Sequence, residues 1–371
     1  MTGDTAGAGA AGGERFDVAV VGGGPAGCAA ATLVARRGLR VVVLERYTYA
    51  TPRIGETLVP EIRLLLDRLG AWDRFVAAGH SRSPGIVAAW GQAAPVANDF
   101  VVNPHGPGWT VDRARFDEML ADTATAAGAV VHRGAEVCGC EPRPDGGWLL
   151  TRAGAPGTRF SADVVVDATG RASPLRRSLE GRTALDDRLV ALIAVVAPGA
   201  GGDTADRRLL VEATEHGWWY SARVPDGRLV LAFHTDATAG LRRRWPQELV
   251  TAPHTAARAG VVGIPSGLRH VAANSQRRVP AARSSWLAVG DAAASHDPIS
   301  GLGVFRALES GMAAAQAILA RADGDVQALD AYAGAAQASY ADYLRRRATY
   351  YEVERRWPDA PFWRRRQGVV A

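Results

Sequence analysis

Phe16-Asp17-Val18-Ala19-Val20-Val21-Gly22-Gly23-Gly24-Pro25-Ala26-Gly27 is the stretch that decides the fold of this chain. Its first six residues form a short apolar run of β-branched character, which fits a strand buried in a parallel sheet. The run passes directly into G-x-G-x-x-G, and an Ala-rich helix follows from Ala26 to Arg37, closed by Gly38 as a C-cap. Arg40-Val41-Val42-Val43-Leu44 then reads as a second buried strand ending on Glu45. Together these make a βαβ unit of about 30 residues. Gly22 permits the tight turn, Gly24 lets a pyrophosphate approach the backbone, and Gly27 lets helix and strand pack closely. Pro25 and Ala26 open the helix, whose free N–H groups and positive dipole end face the phosphates. Glu45 is placed to accept hydrogen bonds from ribose hydroxyls. Arg46 and Arg53, on either side of the loop that follows, are further candidate cofactor contacts.

Working outward, 371 residues exceed what one core usually organises, so two connected domains are expected. The fold class is α/β: a Rossmann-type domain, an interleaved antiparallel-sheet substrate domain and a short helical C-terminal segment. A hydrophobic fraction of 47% with 22% charged residues suits a globular protein. No apolar run reaches the roughly 18 residues of a membrane span. Residues 1–13, rich in Gly and Ala, lack the basic and apolar regions of a signal peptide and read as a disordered lead-in. A cytoplasmic location is therefore expected, with neither membrane nor nucleic acid as a partner. Cys28, Cys138 and Cys140 supply no disulfide framework and no zinc-ligand spacing; they read as small buried residues, and no metal site is expected. The net charge of +5 is carried on the positive side by arginine alone, because the chain has no lysine.

Downstream, Trp286-Leu287-Ala288-Val289-Gly290-Asp291 is another strand ending in Gly-Asp. It is followed by Asp297-Pro298-Ile299-Ser300-Gly301-Leu302-Gly303 and a helix from Val304 to Ala320. Asp167-Ala168-Thr169-Gly170-Arg171 closes a strand from Ala162, and Val111-Asp112-Arg113 opens a helix running to Ala127. These four segments, in this order, resemble the flavin-dependent monooxygenase and halogenase superfamily over residues 14 to 325. The resemblance implies FAD as cofactor, with Asp291 on its ribityl chain and Arg113 reaching it. Pro298, Gly301, Leu302 and Gly303, with the helix N-terminus, would lie against the flavin ring and stabilise its negative charge when reduced. The implied layout gives the FAD-binding domain residues 14–85, 112–180 and 270–325. The substrate sheet takes 86–111 and 181–269, and the helical segment takes 326–371. Only one G-x-G-x-x-G accompanies a strand and helix, so electrons arrive from transient NAD(P)H or from a partner flavin reductase.

Pro52-Arg53-Ile54-Gly55-Glu56-Thr57-Leu58 resembles the Gly-Glu-Ser/Thr loop of tryptophan halogenases and their hydroxylating cousins. Gly217-Trp218-Trp219-Tyr220 matches the halogenase tryptophan motif loosely and is closer to halogenase-like flavoproteins that hydroxylate tryptophan in peptides. Halogenases of this superfamily need a lysine to carry or guide hypohalous acid. Arginine does not substitute, because it stays protonated. The resemblance therefore implies a monooxygenase that hydroxylates an electron-rich aromatic, indole- or tryptophan-like and free or peptide-borne, in a biosynthetic pathway through a flavin hydroperoxide. The protein excludes water and orients the ring. A halogenase, a geranylgeranyl-reductase-type flavin reductase and a non-catalytic flavin-binding factor are the alternatives.

The substrate sheet is expected from strands Ile86 to Trp90, Leu189 to Val196, Leu209 to Ala213, Gly217 to Val224 and Arg228 to Thr235. Alternation puts Trp218 and Tyr220 on one face and Trp219 on the other. Trp218, Trp219 and Tyr220 are candidate walls for an indole, or else core residues. Glu56, His234 and His296 are the acid–base candidates, each set against an ordinary structural hydrogen bond. After Ala320 the chain is helical, with Leu329, Tyr332, Ala336, Tyr340, Tyr343 and Leu344 at helical spacing. The short tail suggests an open site suited to a peptide or carrier-bound substrate. Its arginine clusters at 345–347, 355–356 and 364–366, interleaved with Tyr350, Tyr351, Trp357 and Trp363, read either as a surface for an acidic partner or as a solvated helix face.

Overall fold

A computed structural model describes residues 14–51, 53–154, 157–197, 206–260 and 263–367; the expected disordered lead-in lies outside them. The opening stretch forms the strand Glu14–Val21, paired in parallel with Val41–Glu45 on one side and Arg159–Asp167 on the other. Val130–Arg133 and Trp286–Ala288 extend the parallel arrangement outward. An antiparallel hairpin and the short strand Ala282–Arg283 complete an eight-stranded sheet. Its inner strands carry Val18, Val20, Val43, Val164 and Val166, buried under helices on one face, while Ala19, Val21, Val42 and Leu44 are buried on the other under the hairpin residues Cys140, Trp148 and Leu150.

Three long helices set the cofactor end of this sheet. Helix α1 spans Pro25–Ala35, α2 spans Arg113–Ala126 and α3 spans Gly303–Ala322. Helices α1 and α3 cross so closely that a Cβ on Gly311 would overlap the Ala26 carbonyl oxygen. The turn at Gly290 is wedged into the same crossing. It adopts φ +55, and a Cβ there would lie 2.9 Å from that of Ala26. Gly290 N–H donates to Ser310 Oγ at 2.7 Å, so Asp291 is held between the two helices.

The second layer is a seven-stranded, mainly antiparallel sheet. Its order is Arg269–Ala272, Leu189–Val196, Leu229–Asp236, Gly217–Arg223, Leu209–Thr214, Gly85–Ala89 and Val96–Asp99. The five expected strands are present, within a residue or two at their ends. The expected segment boundaries shift. Gly108–Thr110 leaves this sheet to pair with Thr57–Leu58 and Ser81–Ser83, while Arg182–Leu185 pairs with Gln276–Val279. Arg269–Ala272 carries the sheet past residue 269.

The C-terminal segment is helical, as α4 (Ala328–Val353) and α5 (Pro361–Gln367), and it buries some of its aromatic and arginine residues while leaving others at the surface. Tyr351, Phe362 and Trp363 are buried against one face of the seven-stranded sheet, with Trp218 and Ile193. Arg366 is buried too and donates to Asp236 at 2.8 Å, while Arg356 pairs with the fully buried Glu354 at 2.6 Å. Arg366 is drawn inward by an acid 130 positions away, Arg356 by one two residues before it. Arg345, Arg346, Arg364 and Arg365 remain at the surface. Among the cysteines, Cys138 is exposed rather than buried. No helix among the described residues is long and apolar enough to cross a membrane.

Candidate active site

The nucleotide end of the site is built from α1. Gly22, at φ +108, needs its glycine because a Cβ would overlap the Ala168 carbonyl oxygen, and a Cβ on Gly27 would overlap that of Gly22. Gly24 is different: no atom lies within 4 Å of where its Cβ would stand. Its glycine leaves an open cradle over the first turn of α1, which has no side-chain cap. Pro25 and Ala26 line that turn. Glu45 ends the second strand, buried, and accepts from Gly23 N–H at 2.6 Å and Tyr47 N–H at 2.9 Å. A carboxylate has about four lone-pair sites, so these contacts orient it and leave capacity for a ribose hydroxyl.

Two of the arginines expected at the cofactor make contacts within the protein. Arg53 bridges Glu45 at 3.2 Å and the fully buried Asp117 at 3.1 Å. All three guanidinium nitrogens of Arg113 are engaged within the protein, with Asp117 and with the Ile54 and Gly55 carbonyls. Both cations pin the 53–56 loop instead of presenting a free fork. Gly55, at φ +97, is required there, since a Cβ would stand 2.7 Å from Arg113 Nη1. Asp117 is the organising residue that sequence reading missed; its spacing four residues after Arg113 on a helix was the available signal. Arg46 stays exposed and stacks 4.5 Å over Tyr47.

The ring end of the site joins the Gly-Asp turn to the loop 297–303. Asp291 is solvent-accessible yet crowded by protein, as the wall of a cleft must be. Desolvation pushes its carboxyl up, opposed by the charges of Arg171 and Arg113. No hydrogen bond to that carboxylate forms among the described residues. Pro298 is exposed, and Cβ atoms on Gly301 and Gly303 would meet nothing within 4 Å. Leu302 precedes α3 without capping it, so the helix presents free N–H groups and a positive dipole end. Two uncapped helix starts, three open glycines and an unpartnered aspartate fit an elongated, anionic dinucleotide.

The acid–base candidates are dispersed, with His296 immediately before this loop. Glu56 is buried; Oε2 accepts from Gly55 N–H at 2.8 Å, and Oε1 has no hydrogen-bond partner among the described residues, although the Tyr220 phenol lies near enough to feel its charge. Tyr220 donates to Thr57 Oγ1 at 3.2 Å, and burial beside Glu56 pushes its phenol well above the usual range. His234 and His296 are driven by burial to about 3, so both rings are neutral at ordinary pH. His234 stacks on Trp218 with ring centres 3.7 Å apart, while His296 packs edge-on to Tyr343. Of the expected aromatic walls, Tyr220 alone reaches the Glu56 loop. Trp219 is sealed in the opposite core against Phe233 and Trp245. Trp218 is fully buried under the C-terminal segment and donates to Tyr351 Oη at 3.1 Å.

The model of the FAD binding domain family matches residues 15–347. The chain belongs to this family. It is an FAD-dependent oxidoreductase of the flavin-dependent monooxygenase and halogenase superfamily. It is 28% identical to the FAD-dependent oxidoreductase LodB of Marinomonas mediterranea, over 96% of this chain and 98% of that protein. Two solved structures share the fold. The myxobacterial chondrochloren halogenase CndH gives a TM-score of 0.87 at 24% identity, covering 96% of this chain and 87% of CndH. The peptidyl tryptophan dihydroxylase QhpG gives 0.77 at 23% identity, covering 95% and 79%. FAD is thus the dinucleotide of this chain.

Proposed function

We propose that this chain is an FAD-dependent monooxygenase that hydroxylates an electron-rich aromatic ring of the indole class, with tryptophan carried in a peptide as its substrate. The observation that carries the reading is the site's chemistry: a buried carboxylate, a phenol, two neutral histidines and no amine, in a chain without lysine. Halogen transfer in this superfamily relies on a lysine, and guanidinium does not make the same adduct. The QhpG fold supports the peptide-borne form of the substrate.

FAD held at Gly24, Asp291 and the start of α3, and reduced by NAD(P)H or by a partner reductase, would supply the activation of dioxygen. The protein does the rest. Glu56 Oε1, buried, accepts a hydrogen bond from the indole N–H and takes the ring proton released as aromaticity returns. Tyr220, held protonated by burial beside Glu56, fixes the Thr57 side of the loop. The free N–H groups at the start of α3 offset negative charge on the reduced ring.

The test mixes anaerobically reduced, FAD-loaded protein with isotopically heavy dioxygen and a tryptophan-containing peptide, with chloride and bromide present. Incorporation of the heavy oxygen into the indole supports the reading. A halogenated product, or peptide reduction without dioxygen, refutes it. Faster turnover of free tryptophan than of the peptide overturns the choice of substrate form.

A further inference from the structure

Asp297 opens the loop that leads into α3, and its surroundings come largely from the C-terminal segment. Its carboxylate is fully buried: Oδ1 accepts from Ile299 N–H at 3.0 Å and Oδ2 from Tyr351 Oη–H at 2.8 Å. Its own N–H donates to Tyr343 Oη at 2.7 Å. Tyr343 meets Ser275 Oγ at 2.6 Å, which Arg347 reaches at 2.8 Å while pairing with Asp187. An indole N–H only donates and an ionised carboxylate only accepts. The Tyr351 hydroxyl therefore has one possible direction, accepting from Trp218 and donating to Asp297.

We infer that Tyr351 is a positioning residue of the FAD site: its hydroxyl lets α4 and the substrate-sheet residue Trp218 together hold the Asp297 carboxyl group and the 298–303 loop seated. The inference rests on FAD lying against that loop. Every element around Asp297 bears on its charge. Tyr343, Arg347 and Tyr351 face it from α4, Arg366 from α5 and Asp187 from the segment before strand Leu189–Val196. His296 adjoins it, with Arg306 and Arg171 nearby, and His234 stands behind Trp218. Burial raises the Asp297 carboxyl, while the Ile299 and Tyr351 hydrogen bonds and Arg347 lower it. Removing the Tyr351 hydroxyl therefore makes Asp297 take up a proton at higher pH. A hydrogen bond to a charged group is worth about one pKa unit or more.

The experiment measures FAD affinity by quenching of flavin fluorescence between about pH 5 and 8, a window around neutrality in which buried carboxyls titrate. Wild type, Tyr351→Phe, Tyr343→Phe and Asp297→Asn are compared, each checked for folding by its thermal transition. Wild type is expected to lose FAD on acidification, and Tyr351→Phe to lose it about one pH unit sooner. Tyr343→Phe removes a partner of the backbone, not of the carboxylate, and should leave the midpoint in place. Asn keeps an oxygen for Ile299 N–H but loses the acceptor that faces Tyr351, and it does not ionise, so the pH-dependent part of FAD loss that Asp297 supplies should vanish in Asp297→Asn; this decides the matter if Tyr351→Phe does not fold. Equal midpoints in wild type and Tyr351→Phe, a uniform loss of affinity at every pH, or unchanged pH dependence in Asp297→Asn overturns the inference. Failure of wild type to bind FAD would instead refute the cofactor site itself.

Discussion

Gly24→Val separates what the glycine motif does for the fold from what it does for the cofactor. At Gly24 the backbone is extended, at φ −78 and ψ −176, a region valine occupies readily, and a Cβ would touch nothing. Valine is a poorer helix N-cap than glycine by about 1 kcal/mol. Restricting the unfolded chain returns about 0.4–1 kcal/mol. The apoprotein should therefore lose no more than about 1 kcal/mol, a shift of a few degrees or less for a chain of this size. FAD is expected to fare far worse, because the branched side chain would fill the cradle over the first turn of α1. Loss of backbone approach and of two or more phosphate hydrogen bonds should weaken binding at least about 100-fold, near 2.8 kcal/mol. Thermal denaturation of the apoprotein and equilibrium fluorescence titration with FAD read the two effects separately. Gly22→Ala supplies the contrast: it meets the Ala168 carbonyl at positive φ, so the apoprotein itself should be destabilised. Wild-type FAD affinity in Gly24→Val would refute the placement of the phosphates. An unfolded apoprotein would refute the claim that the cradle is open.

Three further outcomes follow from the geometry. Arg278→Met strands the fully buried Asp167, which Arg278 contacts at 2.5 Å, and should cost about 3–5 kcal/mol in denaturant unfolding; adding Asp167→Asn should recover part of it. Glu56→Gln keeps the Gly55 N–H contact but accepts no proton, so turnover should fall by about 10²–10⁴ while FAD titration is little changed. His234 and His296 ionise near pH 3 in the fold and near 6.5 when unfolded. Their stabilisation is complete above pH 6.5 and is lost as pH falls toward 3, about 2 kcal/mol each by pH 5; His234→Phe should flatten the decline of melting temperature between pH 7 and 5.

The cofactor half was legible because its chemistry is written locally. Gly22, Gly24 and Gly27 stand at fixed spacing between a strand and a helix, and Gly290-Asp291 and Gly301-Leu302-Gly303 repeat that arrangement at α3. Each needs only its immediate neighbours to be interpreted. The partners of the arginines were not legible, because a guanidinium's role depends on which acid it meets. Arg53 and Arg113 meet Asp117, and Arg366 meets Asp236, 130 positions away. Nothing at residue 366 announces that partner.

The substrate half shows a second reason. Alternation assigned Trp218 and Trp219 to opposite faces, and they do lie in separate cores. What alternation cannot supply is what covers each face. Trp219 is covered by Trp245 and Leu249, from the insertion after strand Leu229–Asp236. Trp218 is covered by Tyr351 and Trp363, from the end of the chain. That second cover also carries the hydroxyl on Asp297, so one packing decision buries an expected substrate wall and ties the C-terminal helices to the cofactor loop. A substitution at Trp218 should therefore alter FAD binding as well as substrate affinity. Trp218→Phe keeps the ring on His234 but removes the N–H that orients Tyr351. Its FAD affinity should fall measurably while Trp219→Phe, whose indole N–H has no partner, leaves FAD affinity unchanged. Equal FAD affinities in the two variants would show that the sheet and the cofactor loop act independently.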